Sequence, residues 1–134
     1  MGKQIKKLSH ANKILNFMKR KKVPLSAYEI LDGLATQGIT APTTVYRALN
    51  KLVNDKLIHK IESLNTWTLC CGSHQNNMPI FEICKNCGNV TEHLDSNLTK
   101  TIRRLSERSG FSADNSVFEI NGPCGDCTVN HANN

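Results

Sequence analysis

Two cysteine pairs, Cys84-Lys-Asn-Cys87 and Cys124-Gly-Asp-Cys127, constrain this chain more than any other feature. Two intervening residues let a tight turn aim both sulfurs at one point. Two such turns present four thiolates, which is a closed tetrahedral zinc site. The gap between the pairs exceeds that of a simple ribbon, so a helix and a strand must be spliced between the two knuckles. A lone CxxC can be a dithiol switch, but a duplicated motif without thioredoxin-like surroundings favours structural zinc over redox chemistry. With 134 residues and 39% apolar content, the chain allows one compact domain or two small ones, and small domains need such a staple.

The charge points to a polyanionic partner. Seventeen basic against eleven acidic residues give a formal charge of +6, and phosphates attract clustered lysine and arginine. Residues 1–60 carry most of those cations and only three acids, Glu29, Asp32 and Asp55. The basic character therefore belongs to the first half. No apolar run approaches the length of a membrane span, and the N-terminal MGKQIKKLSHANKIL does not read as a secretory signal. The expected location is the cytoplasm, where thiols stay reduced and paired cysteines bind metal.

Residues 8–20 place Leu8, Ala11, Ile14, Leu15, Phe17 and Met18 on one helical face, and Pro24 ends that pattern. Ser26-Ala-Tyr-Glu29 fits a capping box opening a second helix, with Ile30, Leu31 and Leu34 as its buried stripe and Gly38 as its stop. A third helix begins around Thr40 to Pro42. Val45, Leu49, Leu52 and Val53 line one side of it; Thr43, Thr44, Tyr46, Arg47, Asn50 and Lys51 line the other. Alternation then predicts a hairpin at 57–70, with strands 57–62 and 66–70, a turn at Ser63 to Asn65 and Trp67 as its anchor. Three short helices followed by a hairpin describe a winged helix-turn-helix whose third helix enters the major groove of double-stranded DNA. On that helix Arg47 can fork two hydrogen bonds to guanine or brace against phosphate.

Residues 73–78 read as a hinge loop between a winged-helix domain at 1–72 and a second domain at 79–134. In the second domain, 79–84 and 89–93 read as strands around a turn at 85–88. A helix from Asp95 to Ser109 turns Leu98, Ile102 and Leu105 inward, 117–120 forms another strand, and the last six residues fray. The fold class is α+β. Outside the cysteine pairs, His59, Cys70, His74 and Glu92 would supply N, S, N and O donors, a mixed set that a second zinc accepts. Each also has an ordinary reading as a surface or packing residue.

TVYRALNKLVNDKLIHKIES, FEICKNCGNVTE and the terminal CGDC, in that order, resemble the ferric uptake regulator family of bacterial repressors. SAYEILD and the TLC that ends the hairpin bring the chain nearest to its zinc-sensing members. The resemblance covers roughly residues 23–127. It implies a C-terminal α/β dimerisation domain and a homodimer that binds an AT-rich palindromic operator when zinc is plentiful, repressing zinc-uptake genes. Two zinc ions per chain follow. Cys84, Cys87, Cys124 and Cys127 match structural ligands; His59, Cys70, His74 and Glu92 match regulatory ones. His93 or Cys71 could stand in for His74, because the loop after Cys70 is short. Tyr28 and Arg47 match DNA-contacting positions. The chain lacks the HHHDH-like run of iron-sensing members, which speaks against iron or peroxide sensing. At the first helix HANK replaces a TPQR-like stretch, so contacts there do not carry over.

Two other classes compete. A zinc or dithiol enzyme would need a nucleophile elbow, a phosphate loop, HExxH or a metal with an open position, and the sequence offers none of the three motifs. It therefore reads as a non-enzyme with no small organic substrate and no membrane partner. An iron-, peroxide- or thiol-responsive regulator on the same scaffold is the nearer alternative.

Overall fold

Ser9 starts the first helix, α1 (His10–Lys21), by accepting the Asn12 N–H on its hydroxyl at 3.2 Å. The computed structural model describes residues 8–70, 77–113 and 116–132, and the chain divides into two compact units, Met1–Cys70 and Cys71–Asn134. In the first unit, α1 buries Ala11, Ile14, Phe17 and Met18 and ends at Lys22. That residue takes a left-handed φ of 58° while its N–H closes onto the Met18 carbonyl.

The second helix, α2 (Ala27–Leu34), is capped by Ser26, whose hydroxyl accepts the Glu29 N–H at 3.2 Å. This is one half of the expected capping box. Gly33 lets α1 approach α2 closely, since a Cβ there would lie 2.2 Å from the Phe17 ring. A single 3₁₀ turn and Gly38, at φ +88°, lead to α3 (Pro42–Asn54), which begins on its proline.

The hairpin follows as antiparallel β1 (Ile58–Ile61) and β2 (Thr66–Leu69), with Ile58 opposite Leu69 and His59 opposite Thr68. Its strands are one or two residues shorter than the alternation suggests, because a 3₁₀ turn at Glu62–Leu64 and left-handed Asn65 close the end. Leu25 adds a third edge by exchanging both backbone hydrogen bonds with Trp67, at 2.9 and 2.8 Å. Ile14, Ile30, Leu34, Val45, Leu49 and Ile58 close the core with Trp67.

The second unit is built on β3 (Pro79–Cys84), β4 (Val90–Leu94) and β5 (Phe118–Gly122), in the order β4-β3-β5. β3 runs antiparallel to β4 and parallel to β5, so the chain crosses over between β4 and β5 through α4 (Ser96–Arg108). Asp95 caps α4 through its carboxylate, which accepts the Leu98 N–H at 2.9 Å. Phe81 is fully buried, with Met78, Ile80 and Ile83 nearly so.

Two expectations change here. The chain end does not fray from residue 129, because Gly125–Ala132 forms a fifth helix, α5. A CxxC spacing fits the first turn of a helix as well as a tight turn, and the Thr128 N–H closes that turn onto the Cys124 carbonyl at 2.9 Å. The stripe on α4 is also not inward. Leu98 is 44% and Leu105 63% exposed, and Thr99 is the buried residue of that helix. Thr99 is fixed by polar contacts, since its hydroxyl accepts the Met78 N–H and donates to the Asp95 carbonyl. Leu98 and Leu105 are left uncovered by the described residues of the chain.

Candidate metal centre and nucleic-acid surface

Four sulfurs converge at the end of β3. Cys84 closes that strand and Cys87 follows one turn later, where Gly88 at φ +77° lets its N–H reach back to the Cys84 carbonyl. Cys124 precedes α5 and Cys127 lies in its first turn. All four Sγ atoms fall within 4.8 Å of one another, with Cys84–Cys127 at 3.7 Å and Cys87–Cys124 at 3.8 Å. A tetrahedron with zinc–sulfur bonds of about 2.3 Å has edges of about 3.8 Å. The donor set and its spacing therefore fit zinc, and none of the described cysteines is in a disulfide.

Backbone donors prepare the cluster for charge. The amides of Cys87 and Cys124 both donate to the Cys84 sulfur, at 3.4 and 3.2 Å, and hold its thiol down at about 5. Cys127 is pushed up to about 12 by its neighbours Cys124 and Cys84. A cation among the four sulfurs would offset the crowding that raises Cys127.

Among the described residues, the mixed donor set is divided between the hairpin, which carries His59 and Cys70, and β4, which carries Glu92. On the hairpin, His59 faces Thr68, and Cys70 lies two residues beyond Thr68 with its N–H on the Leu57 carbonyl at 3.0 Å. Side chains alternate across a strand, so this register puts His59 and Cys70 on one face and Ile58 and Trp67 on the other. On β4, Glu92 is half-buried and opposite Phe81. His93, the suggested substitute ligand, takes the other face of β4 and pairs with Glu82. His74 and Cys71 lie outside the described residues.

On the first unit, α3 presents Thr43, Tyr46, Arg47, Asn50 and Lys51 to solvent, with Thr44 half-buried behind them. These positions recur at three- and four-residue intervals and form one polar stripe opposite Val45, Leu49 and Leu52. Lys51 also pairs with Asp55 at 3.0 Å, an exposed contact of little energetic weight. Tyr28 projects from the first turn of α2 and is 72% exposed. Tyr46 meets the edge of Trp67 at 6.0 Å, and Lys60 lies 5.2 Å over the same indole ring. The Lys60 contact was not legible in the sequence, because it depends on the register that sets residue 60 opposite residue 67.

A winged-helix unit followed by an α/β unit with a four-sulfur cluster is the architecture of a metal-responsive DNA-binding regulator. The chain belongs to the ferric uptake regulator family, which it matches over residues 3–121. It is similar to the zinc uptake regulation protein of Escherichia coli (strain K12), with 34% identity over 119 residues, 85% of this chain and 68% of that protein. The ferric uptake regulation protein of Campylobacter jejuni is 29% identical over 87 residues, 63% of this chain and 53% of that protein. Among solved structures, a zinc uptake regulator complexed with zinc and DNA superposes with a TM-score of 0.78 at 28% identity, covering 97% of this chain and 88% of that one. Holo XcZur gives a TM-score of 0.75 at 28% identity, covering 91% of this chain and 86% of that one.

Proposed function

We propose that this protein is a zinc-responsive transcriptional repressor that acts as a homodimer on palindromic operator DNA. The observation that carries the reading is the pairing of a polar, cationic face on α3 with a four-sulfur cluster, in a chain similar to a regulator solved with zinc and DNA. In this reading Arg47 reads or braces the major groove. Thr43, Thr44, Tyr46 and Lys51 contact bases or phosphates beside it, and Tyr28 reaches in from α2. Cys84, Cys87, Cys124 and Cys127 hold one zinc that maintains the second unit. His59, Cys70, His74 and Glu92 hold a second, making two per chain.

When bound at the second site, zinc supplies a fixed junction among four donors. The residues do the rest. His59 and Cys70 come from the hairpin and Glu92 from β4, so ligation ties the wing to the dimerising part of the chain. In a dimer that restraint sets the separation of two recognition helices, which must match half-sites about one helical turn apart. The coupling is reciprocal, so operator DNA tightens zinc binding by the same factor.

The second copy in this reading covers Leu98, Ile102 and Leu105 of α4. Such a repressor works beside the chromosome, in the cytoplasm, and has no reaction to catalyse. The test is a zinc titration scored by binding to palindromic DNA selected from random sequence by the protein itself. Affinity should rise with zinc in the wild type and lose its zinc dependence in Cys70→Ser. Unchanged zinc dependence in that variant would remove Cys70 from the second site. A wild type that responds to ferrous iron or peroxide instead would move the protein to another branch of its family.

A further inference from the structure

The first unit carries a cationic surface that the recognition helix does not use. No acid occurs before Glu29, and the end of α1 reads Lys19-Arg20-Lys21-Lys22, with all four side chains exposed. A helix C-terminus favours cations in general, but three of these four are also held in place. Arg20 and Lys21 lie 5.7 and 5.6 Å over the Phe17 ring, which is itself buried. Lys22 is set in its left-handed conformation by the hydrogen bond to Met18.

Three residues later Leu25 exchanges its two backbone bonds with Trp67, next to Thr66 at the closed end of the hairpin. Trp67 in turn touches Tyr46 of α3 and lies under Lys60 of β1. Trp67 therefore fastens the segment after α1 to the hairpin tip and to α3 at once. Ser26 and Tyr28, at the start of α2, follow directly in the chain. The segment that follows the basic end of α1, the wing and Tyr46 on the polar side of α3 thus meet around one indole ring.

We propose that Lys19, Arg20 and Lys21 form a second, sequence-independent contact to the DNA phosphate backbone, beyond the base pairs read by α3. This rests on the DNA-binding reading above. Cations grouped at a helix end with no base-reading partner add affinity and salt dependence without adding specificity. The surface should therefore lengthen the footprint along the duplex rather than change the sequence preferred.

The test uses the full-length zinc-loaded protein and operator DNA selected by the wild type. The operator is presented in a duplex of about four helical turns, and again trimmed to about two. In K19Q/R20Q/K21Q, binding to the long duplex should weaken roughly tenfold or more. The slope of log affinity against log salt should become shallower by about 0.9 for each phosphate that the variant no longer neutralises. Preference for operator over scrambled DNA should stay unchanged, and the wild-type advantage of the long duplex over the trimmed one should disappear. K19R/K21R should keep the wild-type slope, because it keeps the charge. Trp67 fluorescence reports that each variant is folded.

Equal affinity and slope in wild type and K19Q/R20Q/K21Q would overturn the proposal. If Arg47→Ala still reduced operator preference in that case, the DNA-binding reading would stand and only the second phosphate contact would fall. A wild type that selects no DNA at all would overturn both.

Discussion

Removing zinc from the four-sulfur cluster should unfold the second unit and leave the first intact. Among the described residues, the large apolar side chains buried in the second unit are Met78, Ile80, Phe81 and Ile83. At about 1.5–3 kcal/mol each, they contribute roughly 6–12 kcal/mol before any conformational entropy is charged against them. A structural zinc in a small domain contributes about 10–16 kcal/mol at neutral pH. That matches or exceeds the ~5–15 kcal/mol by which whole domains are usually stable, so its removal is decisive.

The first unit has an extensive core of its own and its cysteine is outside the cluster. The assay is hydrogen exchange on reduced protein before and after a zinc chelator, read separately in the two units. Amides of residues 80–84 should lose their protection. Trp67, the single tryptophan and 2% exposed, should keep its buried fluorescence. Cys84→Ser should reproduce this without chelator, since that sulfur also accepts the amides of Cys87 and Cys124. Protection of residues 80–84 that survives complete removal of zinc would refute the reasoning.

Three further outcomes rest on the same geometry. Arg47→Ala should cut the preference for operator over scrambled DNA by about 1–3 kcal/mol, read from competition binding; an unchanged ratio would take Arg47 off the base edges. Leu105→Glu places a charge in the exposed α4 stripe and should convert dimer to monomer in analytical ultracentrifugation, while leaving the thermal unfolding of the first unit as it was. A persistent dimer would mean that the stripe is not the seam. The third concerns pH. The Cys84 thiol is held at about 5 against an ordinary 9.0, so its stabilisation is present above 9, remains in part between, and is lost as pH falls through 5. Hydrogen exchange at residues 80–84 of the zinc-loaded protein should therefore quicken as pH falls from 9 through 5, beyond the intrinsic change of exchange rate with pH. Protection that stays constant through that window would mean that the two amides do not hold the thiolate.

Much of the fold was legible in the residues because local rules decide it. Ser9, Ser26 and Asp95 cap helices where short polar side chains can accept free N–H groups. Pro42 opens α3, and alternation from Ile58 to Leu69 makes the hairpin. The paired cysteines announced their cluster through spacing alone. The helical turn at Cys124–Cys127 was not legible, because three-residue spacing serves a knuckle and a helix equally well. Nor was the exposure of Leu98 and Leu105, since periodicity says which face of a helix is apolar but not whether its own chain covers that face.

The order of residues was enough to define the elements, the basic first half, the four thiols and the family to which the chain belongs. It took the folded chain to establish that β5 joins β3 in parallel, bringing Cys124 and Cys127 to the end of the strand that carries Cys84. The fold also established that Leu25 and Trp67 fasten the end of α1 to the wing, and that His59 and Cys70, from opposite strands, share a face. The reason is the same in each case. Capping, turns and periodicity act over a few residues, whereas strand order and register depend on which distant segments pair, and no local pattern encodes that choice.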